Sequence, residues 1–166
     1  MASNSHMGNH LNQPDTASDT ILVDEASLPL ISWLDPDTMA YLRRVIALIA
    51  QQAPDALAAI LFGSVARHEE RPLTDPHPSD VDVLVLFAPV GDQESLTSEQ
   101  HAMLSWAVVQ AYNAYPGTPR EVQVLGALTH FAHWDESLVE HVARDGILLW
   151  ARRPLPTALH PVEERW

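Results

Sequence analysis

The stretch LFGSVARHEERPLTDPHPSDVDVLVLF, residues 61–87, decides the fold of this chain. It contains two apolar runs: Gly63 and Ser64 follow the first, and Asp80 and Asp82 open the second. Successive side chains of a β-strand point to opposite faces, so the two aspartates lie on the same face. Parallel carboxylates repel each other unless a cation lies between them. The stretch therefore predicts a cation-binding site at the start of the second strand.

The rest of the chain predicts one small α/β domain. A carboxylate before a proline is a typical helix start, and Asp35-Pro36 has this form. Thr97 and Gln100 have the spacing of a capping box, which predicts a second helix. We expect a small mixed β-sheet flanked by helices. The predicted strands are 57–62, 81–87, 121–125 and 147–150, and the predicted helices begin near 35, 97 and 135–137.

The composition of the two ends differs from that of the middle. Residues 1–27 begin with a stretch typical of an expression scar and continue as a polar, aperiodic segment that we expect to be a flexible arm. Residues 28–151 form the predicted domain, and 152–166 form a proline-broken tail. No run is long enough for a membrane span, and no apolar segment follows the start as a secretory signal would. Together with the absence of cysteine, this predicts a cytoplasmic protein without disulfides.

The charge of the chain excludes several kinds of chemistry. The formal net charge is −13, which makes nucleic acid an unlikely partner because phosphate neutralisation needs clustered cations. All nine basic residues are arginine. The lack of lysine excludes a Walker-type phosphate loop, Schiff-base chemistry and a lysine general base. Any bound phosphate must therefore be held by arginine, backbone amides or a metal ion.

The opening stretch can supply all three of these. A strand that turns into a helix at Gly63 and Ser64 places backbone amides and a hydroxyl where a phosphate can bind. Arg67 follows about one helical turn later and can face the same ligand. Asp80 and Asp82 on the neighbouring strand can hold Mg²⁺, which prefers carboxylate and phosphate oxygens. Such a metal would screen the phosphates of a nucleoside triphosphate and stabilise the leaving pyrophosphate.

The order of these residues resembles the signature of the DNA polymerase beta-like nucleotidyltransferases, in particular their single-domain branch, the minimal nucleotidyltransferases. The resemblance covers residues 39–150 and includes the final LVEHVARDGILLW. It implies a polymerase beta-like fold. It also implies transfer of a nucleoside monophosphate, with AMP the favoured one, from ATP or another NTP to a hydroxyl group on a protein or small molecule. It also implies a two-metal Mg²⁺ site with three carboxylates, of which Asp80 and Asp82 would be the first two.

Two features depart from the family pattern. Fifteen residues, 65–79, separate Ser64 from Asp80, where about ten are usual. The loop at residues 68–79 is therefore interpreted as an insertion beside the site. Glu121 is the best candidate for the third carboxylate, as catalytic residue and metal ligand, but Gln123 lies on the same predicted face. If Gln123 holds the third position, the site keeps two carboxylates and binds nucleotide without efficient turnover.

Two other functions remain open. Minimal nucleotidyltransferases resemble the antitoxin halves of two-gene modules, so the chain is also interpreted as a protein that binds and silences a small helical toxin, with or without turnover. A third hypothesis is an aminoglycoside-type antibiotic nucleotidyltransferase, because an acidic surface suits a cationic substrate.

Histidine and tryptophan are given structural interpretations. A zinc site at His130, His133 and His141 is disfavoured, because no acidic or cysteine partner lies at ligand spacing. The tryptophans are expected to be core or interface aromatics, and Trp106 to be core because of its helical spacing with Met103 and Val109.

Overall fold

The computed structural model describes residues 31–114, 117–129 and 134–152. The predicted arm at residues 1–27 and all but the first residue of the predicted tail lie outside these ranges, as do His130 and His133. The described parts form four helices and four strands. In chain order these are α1 Pro36–Gln52, β1 Ala56–Phe62, α2 Gly63–Ala66, β2 Val81–Phe87, α3 Ser98–Asn113, β3 Val122–Leu128, α4 Glu136–Asp145 and β4 Ile147–Ala151.

The strands form one mixed sheet in the order β3-β2-β1-β4. Strand β1 runs antiparallel to both β2 and β4, whereas β2 and β3 are parallel. Parallel neighbours need a crossover connection, and α3 supplies it between β2 and β3. The predicted small mixed sheet flanked by helices is confirmed.

The two faces of the sheet carry different helices. Odd-numbered residues of β2, such as Val83 and Val85, belong to the larger core cluster with α1 and α3. Even-numbered residues, Leu84 and Leu86, pack with Val142 of α4 on the opposite face. Because side chains alternate, Asp82 lies on the α4 side of the sheet.

The predicted helix caps are confirmed. The side chain of Asp35 accepts hydrogen bonds from the backbone nitrogen and the hydroxyl of Thr38, at 2.9 and 2.8 Å. Thr97 and Gln100 form the reciprocal capping box of α3. Asp135 caps α4. These side chains satisfy backbone N–H groups that have no partner within the helix, and so they determine where each helix begins.

The prediction that Trp106 lies in the core is wrong. Its side chain is 41% exposed, and Val109 and Tyr112 on the same helix are also exposed. The buried face of α3 is formed instead by Leu104, Ala107 and Ala111, at true helical spacing, whereas a three-residue spacing drifts around the helix axis. Trp150 is buried as expected, and Trp33 and Trp134 are partly buried against the two core clusters.

Within the described ranges, no helix combines the length and the apolar character needed to cross a bilayer.

Candidate functional site

Three neighbouring strands bring the predicted site together at one end of the sheet. Phe62, the last residue of β1, pairs with Asp82 near the start of β2. Asp82 in turn lies beside Gln123 of β3 in the parallel register. The end of β1 therefore places Gly63 next to the aspartate pair, as the order of the sequence motif predicts.

The backbone of Gly63 lies close to the side chain of Asp82. Its φ of +79° is in the left-handed region that favours glycine. A Cβ atom added there would lie 2.5 Å from Oδ2 of Asp82. The backbone therefore approaches the carboxylate more closely than any side chain would permit.

The helix that follows Gly63 is shorter than a helix-terminus phosphate site would need. Helix α2 spans only Gly63–Ala66, a single turn that includes Ser64. It is held by Trp33, whose indole N–H donates to the carbonyl of Val65 at 2.7 Å and whose ring stacks on His68 at 5.1 Å. Ser64 directly follows Gly63 in this turn. The sequence carries no signal for the supporting role of Trp33.

The acidic pair is electrostatically strained. Burial raises the pKa of Asp82, and the nearby charge of Asp80 raises it further, while Arg67 acts in the opposite direction. Among the residues that the structure describes, neither aspartate forms an ion pair with a basic side chain. A half-buried carboxylate beside a second one, without a cationic partner, fits a divalent cation, because the cation would remove the repulsion and compensate the burial.

Arg67 lies near the pair but is bound to other carboxylates. Its Nε donates to Glu69 at 2.8 Å, and its Nη1 donates to Asp145 at 3.2 Å. Both hydrogen bonds raise the pKa of Arg67, and the bond with Glu69 has the larger effect. The side chain of Asp145 is only 7% exposed, and the arginines around it, Arg144 first, lower its pKa. The end of α4 therefore holds the guanidinium beside the site.

The two candidates for the third position differ in their contacts. The side-chain amide of Gln123 donates to Oδ2 of Asp80 at 2.8 Å. Glu121 is exposed, and the hydrogen bond described for it is that of its carbonyl, which accepts from Val81 at 2.8 Å. In residues 31–114, 117–129 and 134–152, no three acidic, histidine or cysteine side chains lie close enough to share a metal ion. Alternation along β3 predicts the shared face, but a side-chain contact depends on rotamers that a sequence pattern does not contain.

The inserted loop is tied to the domain by Arg120, a residue that sequence reasoning missed. Its Nη1 donates to the carbonyls of Arg71 and Ser79 at 2.6 and 3.1 Å. The backbone nitrogen of Arg71 donates to the hydroxyl of Ser79 at 2.8 Å, which closes the base of the loop. Arg120 and Ser79, the last residue of the loop, are both buried. The only signal in the sequence is an arginine placed directly before a predicted strand.

No family model and no curated protein matches the chain. Solved structures do resemble it. A toxin–antitoxin protein with AMP-PNP is 19% identical over 74% of this chain and 77% of that one, with a TM-score of 0.47. A predicted nucleotidyltransferase from Sulfolobus solfataricus is 17% identical over 71% of this chain and 89% of that one, with a TM-score of 0.43. A point mutant of the toxin–antitoxin pair MntA–HpeT is 19% identical over 75% of this chain and 78% of that one, with a TM-score of 0.45.

These solved structures belong to the two classes that the sequence resemblance names, nucleotidyltransferases and toxin–antitoxin proteins. At such identities and TM-scores the likeness by itself assigns neither family nor function to this chain.

Proposed function

We propose that this chain is a minimal nucleotidyltransferase that binds ATP or another nucleoside triphosphate with Mg²⁺ and transfers the nucleoside monophosphate to a hydroxyl group. The observation that carries the proposal is the environment of Asp82. This carboxylate is half-buried, repelled by Asp80 and pressed against the backbone of Gly63. Such an arrangement costs stability in the free protein, and a divalent cation offsets that cost.

The neighbouring residues have distinct roles in this proposal. Asp80 and Asp82 hold Mg²⁺, which when bound supplies charge stabilisation for the leaving pyrophosphate. The absence of a side chain at Gly63 leaves the space beside Asp82 open, and Ser64 donates its hydroxyl to a phosphate. Arg67 supplies a positive charge whose field reaches Asp82.

The proposal is tested by nucleotide binding and transfer. The purified chain is titrated with each of the four NTPs with and without Mg²⁺, and each NTP labelled at its α-phosphate is then incubated with the chain and a cell extract. Asp80→Asn and Asp82→Asn should fold normally. Their metal affinity should fall by far more than the about 10–100-fold that is typical when a residue supporting a metal ligand is lost. Unchanged Mg²⁺-dependent affinity in the double variant would contradict the site.

The same assay decides the third position. Glu121→Gln should lower transfer by about 100-fold or more while leaving NTP binding near its wild-type value, if Glu121 acts as general base. Gln123→Ala removes only the hydrogen bond to Asp80 and should have the smaller effect on transfer. The reverse result would assign the third position to Gln123. If neither change matters and no labelled product forms, the site binds nucleotide without transfer.

A second candidate function, binding of a small helical partner protein such as a toxin, is favoured by the outer surface of α3. Residues 102–114 contain no charged side chain, in a chain whose net charge is −13. Trp106, Val109 and Tyr112 are exposed on this helix. Exposed apolar groups of this kind mark protein interfaces. Trp106→Ala should then reduce labelling of a protein acceptor without changing NTP affinity. Val90→Ala, at an exposed residue outside α3, should leave both the labelling and the NTP affinity unchanged.

A further inference from the structure

Arg120 joins three separate parts of the chain at the entrance to β2. Its guanidinium donates to the carbonyls of Arg71 and Ser79. Its backbone nitrogen donates to the hydroxyl of Thr38 at 2.8 Å, in the first turn of α1. Its Nε lies 3.7 Å from Oδ1 of Asp35, the cap of the same helix. The residue is only 7% exposed, so these contacts are shielded from water.

The contact with Ser79 bears directly on the acidic pair. Ser79 is the residue before Asp80, so fixing its carbonyl fixes the peptide unit that joins Ser79 to Asp80, one residue before β2 begins. From Val81 onward the strand is held by pairing with β3, starting with the hydrogen bond from Val81 to the carbonyl of Glu121. Arg120 directly precedes Glu121, so two adjacent residues bind the residue before Asp80 and the residue after it. Asp80 lies between the two contacts.

We propose that Arg120 is a positioning residue for metal-nucleotide binding: it sets the direction in which β2 enters the sheet and so aims Asp80 and Asp82 at the bound cation. This inference rests on the proposed nucleotide site. A guanidinium suits the role because it is permanently charged and planar: Nη1 donates to both carbonyls while Nε, fixed in the same plane, faces Asp35. Arg120 itself touches neither nucleotide nor metal.

Arg152 provides a matched control. It is another arginine that binds backbone carbonyls: Nε donates to Ala56 at 3.0 Å, and Nη2 donates to Ala50 and Ala53 at 2.9 and 3.2 Å. These carbonyls lie at the end of α1 and the start of β1, at the opposite end of the sheet from Asp82. Arg120→Met and Arg152→Met should therefore both lower the melting temperature, for the same physical reason.

The two variants should differ in binding. Below both melting temperatures, Mg²⁺-ATP affinity should fall by about 10–100-fold in Arg120→Met, the range for a residue that orients a metal ligand. It should stay within about twofold of wild type in Arg152→Met, which removes no such residue. In hydrogen exchange, a peptide covering residues 72–82 should exchange faster in Arg120→Met only. Without the Arg120 hydrogen bonds this segment can open while the rest of the domain stays folded. Arg120→Lys, which keeps the charge but not the planar fork, should give intermediate values for both and replaces the methionine variant if that does not fold.

The outcomes separate this inference from the site on which it rests. If wild-type protein does not bind Mg²⁺-ATP, the proposed function is wrong and the role of Arg120 falls with it. If wild type binds but the Arg120 variants bind equally well, or lose no more affinity than Arg152→Met, only the positioning role is overturned. Equal exchange of the 72–82 peptide in the Arg120 and Arg152 variants also overturns it.

Discussion

The two ends of the sheet are built with similar elements but differ in their charges. We call the end where β1 stops and β2 begins the site end, and the opposite end the far end. Each has a glycine at positive φ, Gly63 at the site end and Gly91 at the far end. Each also has an arginine that binds backbone carbonyls, Arg120 and Arg152 respectively. The presence of these elements alone therefore does not indicate a ligand.

The carboxylates distinguish the two ends. At the far end, Asp55 accepts a hydrogen bond of 2.7 Å from the side-chain amide of Gln100, which also belongs to the capping box of α3. At the site end, Asp82 faces Asp80 and a glycine backbone, and its pKa is raised by burial and repulsion. A carboxylate that is satisfied by the protein stabilises the fold, whereas a strained one is typical of a functional site. The comparison therefore favours the site end for the proposed metal-nucleotide site.

The two glycines give the prediction with the largest effect. Gly63→Ala should lower the free energy of unfolding by about 2 kcal/mol or more, since backbone strain at positive φ adds to displacement of the Asp82 carboxylate. It should also abolish Mg²⁺-dependent ATP binding. Gly91→Ala is the control: its Cβ would meet nothing within 4 Å, so only the strain of about 1–2 kcal/mol is expected, with normal binding. Urea unfolding and ATP titration measure both quantities. Normal ATP affinity in Gly63→Ala would contradict the close approach as a binding feature.

Much of this architecture can be predicted from local sequence patterns. The caps at Asp35 and Thr97 are predictable, and the last cap is narrowed to Asp135 or Ser137, because capping depends on residues within one helical turn. The shared face of Asp80 and Asp82 follows from strand alternation alone. Such features need no knowledge of distant parts of the chain.

The contacts that complete the site join distant residues and leave no periodic signal. Arg67 binds Asp145, 78 positions away, and Arg120 binds Arg71 and Ser79, 49 and 41 positions away. Helical spacing suggested that Arg67 faces the ligand, but it could not show that two carboxylates already bind it. The exposure of Trp106 was missed because the small residues Ala107 and Ala111 form the packed face of α3.

The carboxylates at the two ends give the second prediction. Asp145→Asn weakens the ion pair with Arg67 at the site end and should lower Mg²⁺-ATP affinity by about tenfold, the lower end of the range for a supporting rather than a liganding residue. Asp55→Asn perturbs the hydrogen bond with Gln100 at the far end and should leave ATP affinity unchanged while lowering the melting temperature. Calorimetric titration at two salt concentrations measures the ATP affinity of both variants, and thermal unfolding measures their melting temperatures. Equal losses of affinity would mean that the two ends are coupled and would weaken the comparison.

The smallest expected effect concerns how stability depends on pH. The folded-state pKa of Asp82 is raised above its ordinary value of 3.8, so its ionisation costs stability. This cost is absent below pH 3.8, develops as the pH rises through the folded-state pKa and persists at neutral pH. Asp82→Asn should therefore stabilise the nucleotide-free protein at neutral pH by about 0.5 kcal/mol, the scale of a partly exposed charge interaction, and the gain should vanish in acid.

Asp135, which caps α4 near the last residues of β3, should behave with the opposite sign. Hydrogen bonds from Ser137 lower the pKa of Asp135 below 3.8, so its contribution to stability is present above that pH and lost as the pH falls through the folded-state value. Asp135→Asn should thus destabilise the protein at neutral pH and approach wild type in acid. Urea unfolding of both variants across the acidic range measures the two trends. A loss of stability in Asp82→Asn at neutral pH would show that this carboxylate supports the fold, and the distinction between the two ends of the sheet would then fail.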